Sequence, residues 1–358
     1  MIRESSSSAT ALSESKLHTK ALQDYVINVA DGCTHGCKFC YNKAAPQYRF
    51  DPGDKLANAG VDDPAGQWGD YVLYRDDLPQ HLARDLERHR KNETWKTTRR
   101  GQGVVGLSFA TDCFMDRHAA QLTASAITLL AVDERPIRVL TRKPMVAATL
   151  YGPLFETVAA RGLITAGTSL PTLNDELLGV IEPGVPPADR RVTGLAQLER
   201  LGVPVFVSVS PTYPTMTKDD LRAVFERIDD VLDPAVIFHE PVNPRAGNLE
   251  DCIAATDAAD LDDLAAGFRS LTYHDEWVAY ALQHLRWAQE LAVELDLPLR
   301  LWPDKTLETK APSKDEREWV AAWRQRPTPE EIGDGSACTD PYPDLPSKQT
   351  GFDDYNPA

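Results

Sequence analysis

Apolar residues gather in this chain into short β-rich runs, separated by longer stretches where they recur every three or four positions. Seven runs have the first character: residues 25–29, 104–109, 137–140, 163–166, 205–209, 236–238 and 299–302. Between them the spacing is helical. Asp77 stands before a stretch with Pro79 in its first turn and Leu78, Leu82 and Leu86 on one face, as an N-terminal helix boundary requires. Thr217-Lys-Asp-Asp220 has the form of a capping box opening a helix through Phe225. Val192, Leu195, Leu198 and Leu201 form a stripe that stops at Gly202, and Val278, Leu282, Leu285, Ala288, Ala292 and Leu295 form a longer one. Strands alternating with helices predict βαβ units and a parallel sheet. Many such units without a break in composition favour one barrel-like domain over two.

The ends read differently. Residues 1–20 are polar and serine-rich and are expected to be disordered, with no apolar core of a signal peptide. Residues 43–75, rich in Pro, Gly, Asp and Ala, read as a long loop, and 326–358 as a proline-rich tail. The expected division is a disordered segment at 1–20, a core barrel with an additional βα unit at 21–310, and a C-terminal helix and tail at 311–358. At 358 residues and 42% apolar, the chain can bury one substantial core. No stretch approaches the ~20 apolar residues of a membrane span. The net charge of −16 counts against strong nucleic-acid binding, although Lys96, Arg99 and Arg100 form a short basic run.

Polar chemistry collects where the apolar runs stop. Their endings are Asp31-Gly-Cys33, Thr111-Asp-Cys113, Thr141-Arg-Lys143, Thr168-Ser169, Ser210-Pro-Thr-Tyr213, His239-Glu-Pro-Val-Asn243 and Pro303-Asp-Lys305. In a parallel α/β barrel the carboxyl ends of the strands share one face, so seven such endings predict one functional rim.

The first ending holds the densest chemistry. Asp31-Gly-Cys-Thr-His-Gly-Cys-Lys-Phe-Cys-Tyr41 places Cys33, Cys37 and Cys40 in a C-x3-C-x2-C array. Three thiolates so close can hold three irons of a [4Fe–4S] cluster and leave the fourth without a protein ligand. A zinc knuckle would need a fourth ligand, and His35, wedged between two of the cysteines, is the one nearby. The remaining cysteines, 113, 252 and 338, are too sparse for a disulfide framework. Free thiols and an oxygen-sensitive cluster point to the cytoplasm.

With the aromatic Phe39 before its third cysteine, this loop resembles the cluster motif of radical S-adenosylmethionine (SAM) enzymes. More narrowly, residues 24–245 resemble spore photoproduct lyase and lyase-like radical SAM proteins. The match rests on the cysteine loop, on Val139-Leu-Thr-Arg-Lys143, and on Glu182-Pro-Gly184 with Arg190, Arg191 and the helix leading to Gly202-Val-Pro-Val-Phe-Val. The resemblance implies an α/β fold, a partial (β/α)6 TIM-type barrel of the radical SAM type, here with a C-terminal extension. It implies that Cys33, Cys37 and Cys40 ligate the cluster and that S-adenosyl-L-methionine chelates the open iron. Phe39 and the backbone near Tyr41 would meet the adenine, and Asp112 the SAM ammonium. Arg142 or Lys143 would pair with the SAM carboxylate, and Ser169 would bind the carboxylate or ribose.

The implied chemistry is reduction of the SAM sulfonium to methionine and a 5′-deoxyadenosyl radical, which takes hydrogen from a substrate on the barrel axis. An electron donor such as flavodoxin or ferredoxin is implied as partner. Cys113 is a candidate hydrogen donor, since the lyases carry such a cysteine a few positions earlier; Cys252 reads as structural. Tyr213, Glu240, Asn243, Arg245 and Asp304 are candidate substrate contacts. The substrate stays open between a nucleic-acid base and a small metabolite, and the alternative function is a non-catalytic iron–sulfur or zinc redox sensor or interaction module.

Overall fold

The computed structural model describes residues 1–7, 10–15, 17, 22–95 and 103–325. Eleven strands follow one another: β1 (Ile2–Ser6), β2 (Ser13–Glu14), β3 (Tyr25–Ile27), β4 (Ala30–Gly32), β5 (Tyr71–Arg75), β6 (Val105–Leu107), β7 (Ile137–Leu140), β8 (Ile164–Ser169), β9 (Val205–Thr212), β10 (Val236–Pro241) and β11 (Leu299–Leu301).

The main sheet has the order β11-β10-β9-β8-β7-β6-β3-β2. From β3 through β11 every pairing is parallel, and β2 adds antiparallel at the β3 edge. Spatial order equals chain order, so each helical crossover steps the chain one strand sideways in the same direction. That winding is the partial barrel expected from the sequence, and no pairing between its two edges is seen among the described residues. The inner strands are apolar runs because both their faces are covered. Ile137, Val139, Ile164, Ala166, Val205 and Val207 are all buried.

The helices carry the expected stripes. Leu78, Leu82 and Leu86 are buried in the helix Leu78–Asn92. Thr217 and Asp220 form the reciprocal capping box of the helix Lys218–Asp229. Among the described residues no helix is long and apolar enough to cross a membrane.

A second, smaller sheet corrects the reading of the N-terminal third. Ile2–Ser6, expected to be disordered, pairs in parallel with β5, and β5 pairs antiparallel with β4. Residues 43–75, read as one long loop, contain the helices Pro46–Arg49 and Lys55–Asn58 as well as β5. Tyr48, Leu56, Val61, Tyr71 and Leu73 form its own apolar cluster. A buried carboxylate holds this cap together: Asp31 on β4 pairs with Lys55 and with Arg75 on β5 (2.7 Å). Burial alone would raise the Asp31 pKa, but the two cations outweigh it and hold it below the usual carboxylate range. At the other end, the helix Lys314–Gln325 buries Val320 and Trp323. The basic run at 96–100, the tail from 326 and Cys338 lie outside the described residues.

Candidate active site

The site begins where β4 turns. Gly32 has a φ of +85°, and a Cβ there would lie 2.4 Å from the Tyr71 carbonyl oxygen, so glycine lets the chain pass tightly beneath β5. Thr111 donates to the Gly32 carbonyl (2.7 Å), joining this turn to the end of β6. Beyond it, Cys33 and Cys37 are buried and Cys40 half-buried, all as free thiols. The three cysteines line one cavity of about 110 Å³, together with His35, Phe39, Asn42, Trp68, Asp112 and Arg142.

The donor set suits a polynuclear centre. Burial pushes all three thiols above their ordinary range, Cys33 to about 12 with the Asp112 charge adding to it. Three thiolates in so dry a place need a strongly positive partner, which iron supplies. His35 does not compete for that role. Burial lowers it to about 4, leaving it neutral, and its Nδ1 lies 3.8 Å from the Asp112 carboxylate.

The Glu182-Pro-Gly184 turn clamps the cysteine loop from below. Lys38 donates its backbone N–H to the Ile181 carbonyl (2.9 Å), and Gly184 donates to the His35 carbonyl (2.9 Å). A Cβ at residue 184 would meet the Thr34 carbonyl oxygen at 2.5 Å, so only glycine permits this approach. Glu182 is fully buried and receives an ion pair from Arg191 (2.8 Å), Nε of Arg142 (3.2 Å) and the Tyr213 hydroxyl (3.3 Å). Burial favours the neutral acid, but the two guanidiniums win and lower its pKa. The Arg142 guanidinium, so anchored, lies 5.2 Å from the Phe39 ring centroid and faces the cysteine cavity.

Each residue expected from sequence has a definite place. Asp112 is on the cavity wall, and its carboxylate already accepts from Phe114 N, Thr141 Oγ1 and Arg142 N at 2.7–2.8 Å. Lys143 turns away: its Nζ donates to the Met115 carbonyl (2.7 Å), leaving Arg142 as the member of the pair that lines the cavity. Ser169 ends β8, buried, with its carbonyl accepting from Arg191 (3.1 Å) and its side chain on neither cavity wall. Cys113 belongs to the apolar core, fully buried, its Sγ 3.9 Å from the Leu140 carbonyl oxygen. Cys252 is likewise buried, in the helix Asn248–Asp257.

A second cavity, of about 220 Å³, adjoins the first, and Phe109 and Leu140 line both. Tyr41, exposed on its far side, lines this one rather than the first. Its wall is built by alternation: Arg138 and Leu140 on β7, Phe206, Ser208 and Ser210 on β9, Phe238 and Glu240 on β10, Arg300 and Trp302 at β11. Of the expected substrate contacts, Glu240 lines this cavity, and Asn243 donates to the Glu240 carboxylate (2.7 Å). Arg245 pairs with Asp304 and lies 5.7 Å from the Tyr41 ring, whereas Tyr213 is drawn to Glu182. Sequence reasoning missed the wall residues of the inner strands. Their signal was present as arginine, serine and aromatic residues at every second position of runs that were read as simply apolar.

Known proteins resemble this chain in family and in fold. The radical SAM superfamily model matches residues 27–228, more than half of the chain. An uncharacterised protein of Acidianus two-tailed virus is 25% identical over 241 residues, 64% of this chain and 71% of the viral protein. An uncharacterised protein of Mycobacterium tuberculosis is 24% identical over 197 residues, 54% of this chain and 51% of that protein, so the match spans about half of the relative's length. A variant of spore photoproduct lyase solved with dinucleoside spore photoproduct superposes with a TM-score of 0.51 at 13% identity, over 76% of this chain and 79% of that chain. At that identity the likeness speaks for the fold.

Proposed function

The chain belongs to the radical SAM superfamily, and on that premise we propose that it binds a [4Fe–4S] cluster at Cys33, Cys37 and Cys40 and cleaves S-adenosylmethionine to act on a substrate held in the second cavity. The observation that carries this reading is the shared wall: Phe109 and Leu140 line both the cysteine cavity and the second cavity beside it. When bound, cluster and SAM supply one-electron cleavage of the sulfonium and a carbon radical able to take hydrogen; binding, orientation and exclusion of water are the protein's part.

The chain's own residues divide that work. Arg142, fixed by Glu182, offers a guanidinium to the SAM carboxylate, a match of planar fork to planar anion. Asp112 has accepted three hydrogen bonds, and a carboxylate has about four acceptor positions, which leaves one for the SAM ammonium. Phe39 and Tyr41 offer flat faces on the two sides of the passage toward the adenine. Cys113 we assign to packing rather than hydrogen donation, because it is sealed in the core and lines neither cavity. A small metabolite fits the second cavity better than a nucleic-acid base, since the net charge of −16 repels a phosphate backbone.

Anaerobically reconstituted protein should hold about four irons per chain and release 5′-deoxyadenosine from SAM under dithionite. Replacing any one of Cys33, Cys37 or Cys40 by Ala should abolish both. A protein that loads iron and bleaches with dithionite yet releases no 5′-deoxyadenosine would be a redox sensor, and the proposal would fail.

A further inference from the structure

Among the described residues Lys43 is the one buried lysine, and nothing in the SAM site as drawn above uses its charge. It stands three residues after Cys40, which is the N-cap of the short 3-10 helix Tyr41–Ala44. In such a turn side chains three positions apart lie one above the other, so the lysine stem leaves the chain on the face that carries the Cys40 thiol. An ammonium taken out of water is costly unless it is paired, and its partner is Asp251 on the helix Asn248–Asp257. The same helix grips the loop on the other side of Cys40, where Asn248 donates Nδ2 to the Phe39 carbonyl (3.1 Å). Phe39 and Lys43 bracket the cysteine, so one helix fixes this ligand and its neighbouring cation together.

The two charges of the pair are not felt equally inside the protein. The Lys43 side chain is 8% exposed and that of Asp251 42%, where it lines an outward groove with Cys37 and Lys38. Water screens the carboxylate, while the ammonium acts through protein, where a charge is felt several-fold more strongly. The free thiols already register it: burial pushes Cys40 up, and the Arg142 and Lys43 charges pull against that rise. Cys252, within reach of the same ammonium, adds no negative charge, because burial holds its thiol up at about 12. Arg142 and Asp112 line the cysteine cavity itself, one cation and one anion, with Arg142 anchored by Glu182. Lys43 is then an added positive charge on the Cys40 side. Resting on the cluster-binding reading above, we propose that Lys43 tunes the cluster: its positive charge favours the form holding one more electron and so raises the reduction potential, while Asp251 is a screened counter-ion that moderates the rise. Net charge around a cluster is one of the main determinants of its potential, and residues behind the ligands set it.

The test reads a potential rather than turnover. Anaerobically reconstituted wild-type, Lys43→Met, Lys43→Arg and Asp251→Asn proteins are titrated with dithionite against redox dyes, without SAM, and the reduced cluster is counted by its paramagnetic resonance signal. Lys43→Met should move the midpoint to lower potential, so that the ratio of reduced to oxidised cluster at a fixed ambient potential falls about tenfold. Asp251→Asn deprives the ammonium of its counter-ion and should move the midpoint the opposite way; Lys43→Arg keeps the charge and should stay near wild type. A purely structural role gives a different pattern, since breaking the pair from either end would loosen the same contact and shift both variants alike. Shifts of one sign in both variants, or an unchanged midpoint in Lys43→Met, would overturn the proposal. Should Lys43→Met fail to load iron, Asp251→Asn decides from its half-exposed position: a rise supports the proposal and no rise overturns it. Wild-type protein that takes up no iron would sink the cluster reading itself, whereas wild-type protein that loads iron alongside variants with unmoved midpoints would sink this inference alone.

Discussion

Glu182, itself out of reach of water, neutralises one of two guanidiniums that converge on it and receives a tyrosine hydroxyl. Removing its charge should leave Arg142 and Arg191 buried and uncompensated, which typically costs about 3–5 kcal/mol. Glu182→Gln is therefore expected to lower the unfolding free energy in urea by an amount of that order and to reduce iron content, since Arg142 would no longer be held over Phe39. The adjacent pair offers a sharper contrast. Arg142→Gln should weaken SAM binding, whereas Lys143→Gln, whose amine already serves the Met115 carbonyl, should leave it within twofold by equilibrium dialysis. Sequence made the cysteines plain, because three thiols crowded into one short loop are rare unless they share a metal centre. It could not choose between Arg142 and Lys143: neighbouring side chains leave the backbone in different directions, and spacing along the chain says nothing about which way each turns. Nor could it show that Asp112 is held by three hydrogen bonds before any ligand arrives, so Asp112→Asn, which keeps the side chain's shape, probes the SAM ammonium more cleanly than Asp112→Ala.

At the scale of elements, the seven runs read as strands are the seven parallel strands of the main sheet, legible because their buried positions are rich in β-branched and other apolar residues. The cap was not legible for the converse reason. Ile2–Ser6 is an edge strand with its middle three residues exposed, and β4 is three residues long with a glycine at its end. Neither pattern stands out from a loop. The cap nevertheless carries a measurable load. Asp31→Asn should release Lys55 and Arg75 and lower both stability and cluster retention, read as iron lost on gel filtration. Thr217→Ala provides the control. It removes the cap of a helix that lines neither cavity, costs about 1 kcal/mol, and should leave iron content unchanged.

Across the whole molecule, the response to acid follows from His35 in the cysteine loop, lowered to about 4 as described above, and from two buried histidines on the barrel's later strands and the helix behind them. Burial lowers His239 to about 4 and His284 to about 3, the latter also through His239. A group whose folded pKa lies below its unfolded value of ~6.5 binds protons more tightly when unfolded, so stability is complete above that value and is lost as pH falls toward the folded pKa. The slope is about 1.4 kcal/mol per pH unit for each proton. Asp31 and Glu182, both depressed, add their loss only below pH ~4, once their folded pKa values are approached. Urea midpoints should therefore hold steady from pH 8 to 7, fall between 6.5 and 4, and fall less steeply in that window in a His284→Gln variant. The small sheet has one more consequence. Because β4 is at once a strand of the cap and the lead-in to Cys33, the chain cannot fray at β5 without loosening the ligand loop. Metal affinity and local folding are then one equilibrium. Amide protons of Tyr71–Arg75 should exchange slowly in loaded protein and far faster once iron is stripped, so deuterium uptake in five residues that touch no iron becomes a gauge of how firmly the metal is held.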